Sequence, residues 1–245
     1  MKFITKLLLA AVLLAGAGHT FANPHPVTKV IAAEIVDRHL SGFNGIDISG
    51  SFDVYVTQGA TESVKVEAPA NVIDRIITEV NGGVLKIYNK NNSWHWGDWW
   101  GVHKKIAIYV VAKNLNSINL TGSGDMYFKE GITANSLKLR IGGSGDMTGK
   151  VDTKILESSI SGSGDMRLSG HAQNSTVSLA GSGDYTARSL LTVSCAVSVT
   201  GSGDAEINAS EKIDATVHGS GDIRYTGTVK NVSSSKTGSG DISRL

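Results

Sequence analysis

The tetrapeptide Gly-Ser-Gly-Asp occurs seven times in this chain, and its spacing constrains the fold more than any other feature. Its aspartates are Asp125, Asp146, Asp165, Asp184, Asp204, Asp222 and Asp241, separated by 21, 19, 19, 20, 18 and 19 residues. The motif takes 14 of the 29 glycines, so the glycine excess is a repeat signature. Collagen would need glycine at every third position and abundant proline, and this chain has three prolines. The flanks repeat as well. Leu120, Ile141, Ile160, Leu179, Val199 and Val217 share one column, and Asn119, Arg140, Ser159, Ser178, Ser198 and Thr216 the column before it. After each aspartate comes Met126, Met147, Met166, Tyr185, Ala205, Ile223 or Ile242. Apolar and polar residues alternate with period 2, the pattern of a strand with one buried face.

A unit of this length cannot bury its apolar face alone; stacking such units does. The sequence therefore predicts an all-β, parallel β-helix-like solenoid of about seven ~19-residue coils, with rungs ~4.8 Å apart. A propeller fits less well, because its blades need ~40 residues each. The last coil carries Ser234 and Lys236 where earlier coils are apolar. Residues 228–245 read as a polar cap that keeps the open end soluble.

Two glycines around a serine allow a sharp corner in each coil. By strand parity the Ser and Asp of the motif point outward and the glycines inward. Stacked aspartates ~4.8 Å apart repel by ~1 kcal/mol even in water. Backbone N–H groups in an Asx-type turn, the neighbouring Arg167 and Arg224, or a bridging Ca²⁺ could each offset this repulsion. The turn is the simplest of the three, so the seven aspartates are expected to be structural and no cofactor is expected.

The amino-terminal half differs. Met1–Ala22 has basic Lys2 and Lys6, an apolar run from Leu7 to Ala17 and Thr20-Phe21-Ala22, the layout of a cleaved signal peptide. The run is shorter than the ~20 residues that span a bilayer, and no later segment suits a membrane helix. An exported protein is expected: periplasmic, bound to the outer surface, or secreted. Residues 23–40 read as a lead-in, 41–120 as an irregular β-rich half and 121–245 as the repeat solenoid. Within the β-rich half, Ile48-Ser49-Gly50-Ser51-Phe52 looks like a degenerate copy of the motif. The apolar offsets of Val72, Ile73, Ile76, Ile77 and Val80 suggest a short helix whose end could be a strand.

All four tryptophans, Trp94, Trp96, Trp99 and Trp100, fall within seven residues. Such a cluster reads either as a contact surface for a ligand or partner, or as a cover over an open end of the β-structure. His95, Asp98 and His103 fit no strong metal-ligand spacing. The net charge of +1 argues against nucleic acid as partner. The single cysteine excludes a disulfide framework, and its strand parity makes Cys195 a buried, inert thiol.

Phe43-Asn44-Gly45-Ile46-Asp47-Ile48-Ser49-Gly50-Ser51-Phe52-Asp53-Val54-Tyr55-Val56-Thr57-Gln58-Gly59, joined to Gly-Ser-Gly-Asp coils, resembles the auto-transporter adhesin head (GIN) domain family of exported bacterial proteins. The resemblance covers roughly residues 40–245. It implies a right-handed parallel β-helix-like fold and surface attachment, and it carries no catalytic residues. The function expected is a non-catalytic adhesin-like module that binds a cell-surface, glycan or envelope ligand, with residues 94–100 as its contact surface. A polysaccharide-active β-helix enzyme and a structural envelope scaffold are the alternatives.

Overall fold

A computed structural model describes residues 33–90 and 106–245. The signal-peptide reading, most of the lead-in segment and the tryptophan cluster lie outside the described residues. Alternating sequence produces strands almost throughout. The elements are β1 (Ala33–Asp37), β2 (Gly45–Gly50), β3 (Asp53–Gln58), β4 (Ser63–Pro69), β5 (Ile76–Asn81), β6 (Val84–Asn89), β7 (Ala107–Ala112) and β8 (Ser117–Gly122). They continue with β9 (Met126–Gly143), β10 (Met147–Gly162), β11 (Met166–Gly181), β12 (Tyr185–Gly201), β13 (Ala205–Gly219), β14 (Ile223–Thr226), β15 (Asn231–Gly238) and β16 (Ile242–Arg244).

Each long strand is one coil that runs along two faces, and each pairs in parallel with the next: β9 with β10, β10 with β11, β11 with β12, β12 with β13. The final coil is split, β14 and β15 both pairing with β13 and β16 with β14. This is the β-solenoid that the repeat predicts. Register aligns like with like. Leu120, Ile141, Ile160, Leu179, Val199 and Val217 form one stack, and all are buried. The core is thus a set of aliphatic columns, which bury apolar area continuously from coil to coil.

The amino-terminal strands join the same stack out of chain order. On one face β2 lies between β6 and β8, and on the other β3 lies between β7 and β9, all in parallel. The coil of β6 and β7 is therefore stacked outside the coil of β2 and β3, although it follows it in sequence. Antiparallel strands close this end: β5 on β6, β4 on β7 and β1 on β4. β1 falls inside the stretch read from sequence as a lead-in.

The helix suggested over residues 71–80 is a single 3-10 turn, Ile73–Arg75, that leads into β5. Ile76, Ile77 and Val80 are β-branched, and the free edge of β6 offers them an antiparallel hydrogen-bonding partner that an isolated short helix lacks.

Candidate functional site

The tetrapeptide forms the corner between the two faces, and each of its residues has a separate physical task. The first glycine has a left-handed φ, for example +127° at Gly122 and +129° at Gly181. Its carbonyl accepts two N–H groups of the next coil: Ser144 and Gly145 donate to the Gly122 oxygen at 2.9 and 3.0 Å. The serine is exposed at every corner. The second glycine is buried against the backbone of the preceding coil; a Cβ on Gly183 would lie 2.0 Å from the Gly164 oxygen.

The aspartate links coils. The backbone N–H of Asp146 donates to Asp125 Oδ1, and the same bond recurs from Asp165 to Asp146, Asp184 to Asp165, Asp204 to Asp184, Asp222 to Asp204 and Asp241 to Asp222, at 2.8–3.2 Å. In return each aspartate carbonyl accepts from the coil before, as Met126 N–H does to Asp146 O at 2.8 Å. A column of like charges is thereby converted into a column of charge-assisted hydrogen bonds. The bonded N–H comes from the next coil, not from the residue's own turn.

The outer carboxylate oxygens take different partners. Arg167 reaches Asp165 Oδ2 at 2.7 Å and Asp146 Oδ2 at 3.4 Å. Arg224 bridges Asp222 Oδ2 at 2.8 Å and Asp204 Oδ2 at 3.2 Å. Tyr127 Oη donates to Asp125 Oδ2. At Asp241 the inner oxygen instead accepts from Lys236 Nζ at 3.0 Å. Lys236 pairs with Val217 in the stack, so it occupies an apolar column position and caps the end of the ladder. This lysine holds the Asp241 carboxyl below the usual carboxylate range.

The degenerate corner Gly50-Ser51-Phe52-Asp53 lies in the same place. Gly50 pairs with Gly122, and the Phe52 oxygen lies where a Cβ on Gly124 would stand, 2.1 Å away.

The opposite end of the solenoid carries aromatic side chains. Tyr109, Tyr55 and Tyr127 come from β7, β3 and β9, and register makes them neighbours. Their rings stack with centroids 5.4 and 5.3 Å apart and planes within 18–19°. Lys129 Nζ sits 5.4 Å over the Tyr127 ring, and Tyr109 Oη donates to Glu67 Oε2. That hydrogen bond is the main reason the Tyr109 phenol is pushed up. Tyr55 and Tyr109 are each 39% exposed. Residues 91–105, with Trp94, Trp96, Trp99 and Trp100, connect β6 to β7, the step that other coils make with a four-residue corner. The strand pattern alone did not signal the tyrosine stack; it depends on which strands are neighbours.

In the interior, Tyr185 is fully buried among the small side chains of the neighbouring columns, Ser158, Ser175 and Cys195. The two serine hydroxyls lie near enough to ease the phenol's ionisation slightly, yet they and the phenol oxygen lack hydrogen-bonding geometry to any described group. Burial pushes the Tyr185 phenol up and the Cys195 thiol up to about 12. A thiol in that state is no nucleophile. Among the described residues, no three His, Cys, Asp or Glu side chains converge as metal ligands.

The model of the family described as "Putative auto-transporter adhesin, head GIN domain" matches residues 42–229. The chain belongs to that family. Among solved structures, a "putative adhesin" from Bacteroides fragilis is 28% identical, with a TM-score of 0.79 over 87% of this GIN-domain chain and 97% of the other. A "putative adhesin" and a "putative lipid binding protein", both from Parabacteroides distasonis, share the fold at 24% identity, with TM-scores of 0.70 and 0.67. Each comparison covers 87% of this chain and 97% or 96% of the relative. None of the curated proteins matches it. No helix among the described residues is long and apolar enough to cross a membrane.

Proposed function

We propose that this GIN-domain protein is an exported, non-catalytic, adhesin-like binding module whose contact surface lies at the aromatic end of the solenoid. The observation that carries the reading is the Tyr109–Tyr55–Tyr127 stack, exposed at Tyr55 and Tyr109, in the coils bordering the step that holds Trp94, Trp96, Trp99 and Trp100. Tyrosine and tryptophan supply large contact area at low entropic cost, and they combine an apolar body with a polar tip. Family membership and the Bacteroides fragilis adhesin relative support attachment as the task. The aspartates support the non-catalytic part. Six of the seven inner oxygens are committed to backbone N–H groups and the seventh to Lys236, and their even repetition is that of a scaffold, whereas a catalytic centre is a local exception to a repeat.

The test is a glycan array and sedimentation with lipid vesicles, run on the wild type and on a Trp94/Trp96/Trp99/Trp100→Ala variant. The reading expects a ligand signal from the wild type that the variant loses. Equal signal from both proteins excludes the tryptophans from the contact surface. Turnover of a polysaccharide panel, read as released reducing ends, would overturn the non-catalytic assignment.

A further inference from the structure

Along one face of the solenoid, rows of small hydroxyl side chains follow Arg140 from coil to coil. Parallel register sets Arg140, Ser159, Ser178, Ser198, Thr216 and Ser235 in one row, each on the next coil. The flanking row runs Ser161, Ala180, Thr200, His218 and Thr237, and the exposed corner serines lie beyond it. In β11 and β12 the outward residues of this face, Thr176, Ser178, Ala180, Ala196, Ser198 and Thr200, carry neither charge nor aromatic ring.

On its other side Arg140 neighbours Asn119, which donates to Asp47 Oδ1, and beside Arg140 is a groove of about 200 Å³ lined by Lys138, Arg140, Glu157, Ser159, Thr176 and Ser178. The two cations there are not equivalent. Lys138 Nζ is tied to Glu157 Oε2. Arg140 is exposed and makes no hydrogen bond or ion pair with another described residue. On the other face the arginines are engaged: Arg167 and Arg224 with the aspartate ladder, Arg188 with Glu206. Arg140 is thus a free planar fork of donors in a groove whose other polar groups are mostly hydroxyls.

We propose that this face binds an acidic polysaccharide, with Arg140 taking a uronic-acid carboxylate and the serine and threonine rows meeting the sugar hydroxyls. Guanidinium and carboxylate match as a bidentate, charge-assisted pair. Each Ser or Thr hydroxyl both donates and accepts, as each sugar hydroxyl does, so a polyol chain finds partners along the rows without exact register. Other occupants fit less well. Protein interfaces centre on aromatic and arginine anchors, which these rows lack beyond Arg140. An anionic membrane surface or a nucleic acid binds chiefly through a cluster of cations, whereas a uronic-acid chain can engage the one arginine through a carboxylate and the rows through its many hydroxyls. This surface is separate from the aromatic end and stands or falls independently of it.

The experiment is calorimetric titration of the folded protein at low salt with polygalacturonate and with its carboxyl-reduced, neutral form. Wild type, Arg140→Ala, Arg140→Lys, Ser178→Asp and the tryptophan variant are compared, with thermal melting confirming that each is folded. The proposal expects binding of the acidic polymer that weakens as salt rises, and binding of the neutral form at least tenfold weaker. Arg140→Ala and Ser178→Asp should each lose at least tenfold, Arg140→Lys less, and the tryptophan variant nothing. No binding of the acidic polymer by the wild type overturns it, as does equal binding by folded Arg140→Ala. Loss in the tryptophan variant alone overturns it while leaving the aromatic-end reading in place.

Discussion

The Asp204 backbone N–H donates to Asp184 Oδ1 at 2.9 Å, so a side chain in one coil holds the main chain of the next. Asp184 is the informative member of the ladder, because Thr186 stands where Arg167 and Arg224 serve other aspartates. Its carboxylate has this backbone bond and, among the described residues, no arginine partner. Asp184→Ala is expected to cost about 1–2 kcal/mol, the loss of a charge-assisted bond with the Asp204 N–H left unpaired. Asp184→Asn keeps an oxygen acceptor and removes a repulsive charge, so it should stay within about 0.5 kcal/mol of wild type. Equilibrium denaturation of the two variants measures both. Equal losses would mean that charge, not the acceptor, matters.

Corner glycines and corner serines should respond in opposite ways. A methyl on Gly183 would lie 2.0 Å from the Gly164 oxygen, and backbone cannot yield as a side chain can. Gly183→Ala is expected to destabilise by more than about 2 kcal/mol through overpacking. Ser182 beside it is exposed, and Ser182→Ala should change stability by less than about 0.5 kcal/mol. Gly142 is a control within the same strand system: its nearest neighbour for a Cβ is Thr121 Oγ1 at 3.7 Å, so Gly142→Ala is expected to fold with little loss. Melting temperatures of the three variants rank them.

The 18-to-21-residue spacing of the aspartates and the uniform columns around them define coils in parallel register, because stacked coils must bury like against like. The inter-coil bond from Asp204 to Asp184 was only half legible. A carboxylate ladder has to be neutralised, but sequence does not say whether the donor lies in its own turn or in the next coil. The position of β2 and β3 between later strands was not legible, since alternation tells which face is buried and not which strand is the neighbour. The stack of Tyr55, Tyr109 and Tyr127 was missed for the same reason. Arg140 was visible as one member of a polar column, but not that it goes unpaired while its counterparts on the other face are engaged.

The end of the ladder makes a pH-dependent prediction. Lys236 depresses the Asp241 carboxyl below its ordinary 3.8. A carboxylate depressed on folding adds stability that is present above the unfolded value and fades as pH falls through the folded one. The last coil should therefore loosen below about pH 4, and Lys236→Met should remove part of that dependence. NMR titration of Asp241 reads it directly: in Lys236→Met the midpoint should rise. An unchanged midpoint would show that the lysine does not cap the ladder in solution.

The interior predicts silence followed by reactivity. Cys195 is buried with its thiol pushed up to about 12, so a disulfide-exchange reagent should leave it untouched in the native protein and modify it once denaturant unfolds the coil. Tyr185→Phe removes a buried phenol oxygen that has no hydrogen-bond partner in the described structure. That variant should be neutral or slightly more stable, since it removes a desolvated polar group and keeps the ring. A loss of several kcal/mol would show that the oxygen is satisfied in solution.

The tetrapeptide corners lie over one another, one rung apart. Pulsed electron–electron resonance between spin labels on exposed corner serines tests it most directly, with Cys195 left in place because it is buried. Label pairs at Ser144 and Ser220, Ser144 and Ser239, and Ser123 and Ser239 span four, five and six coils. Their backbone separations should be about 19, 24 and 29 Å, rising by ~4.8 Å per coil. Distances that fail to grow with the number of intervening coils would contradict the stacked ladder.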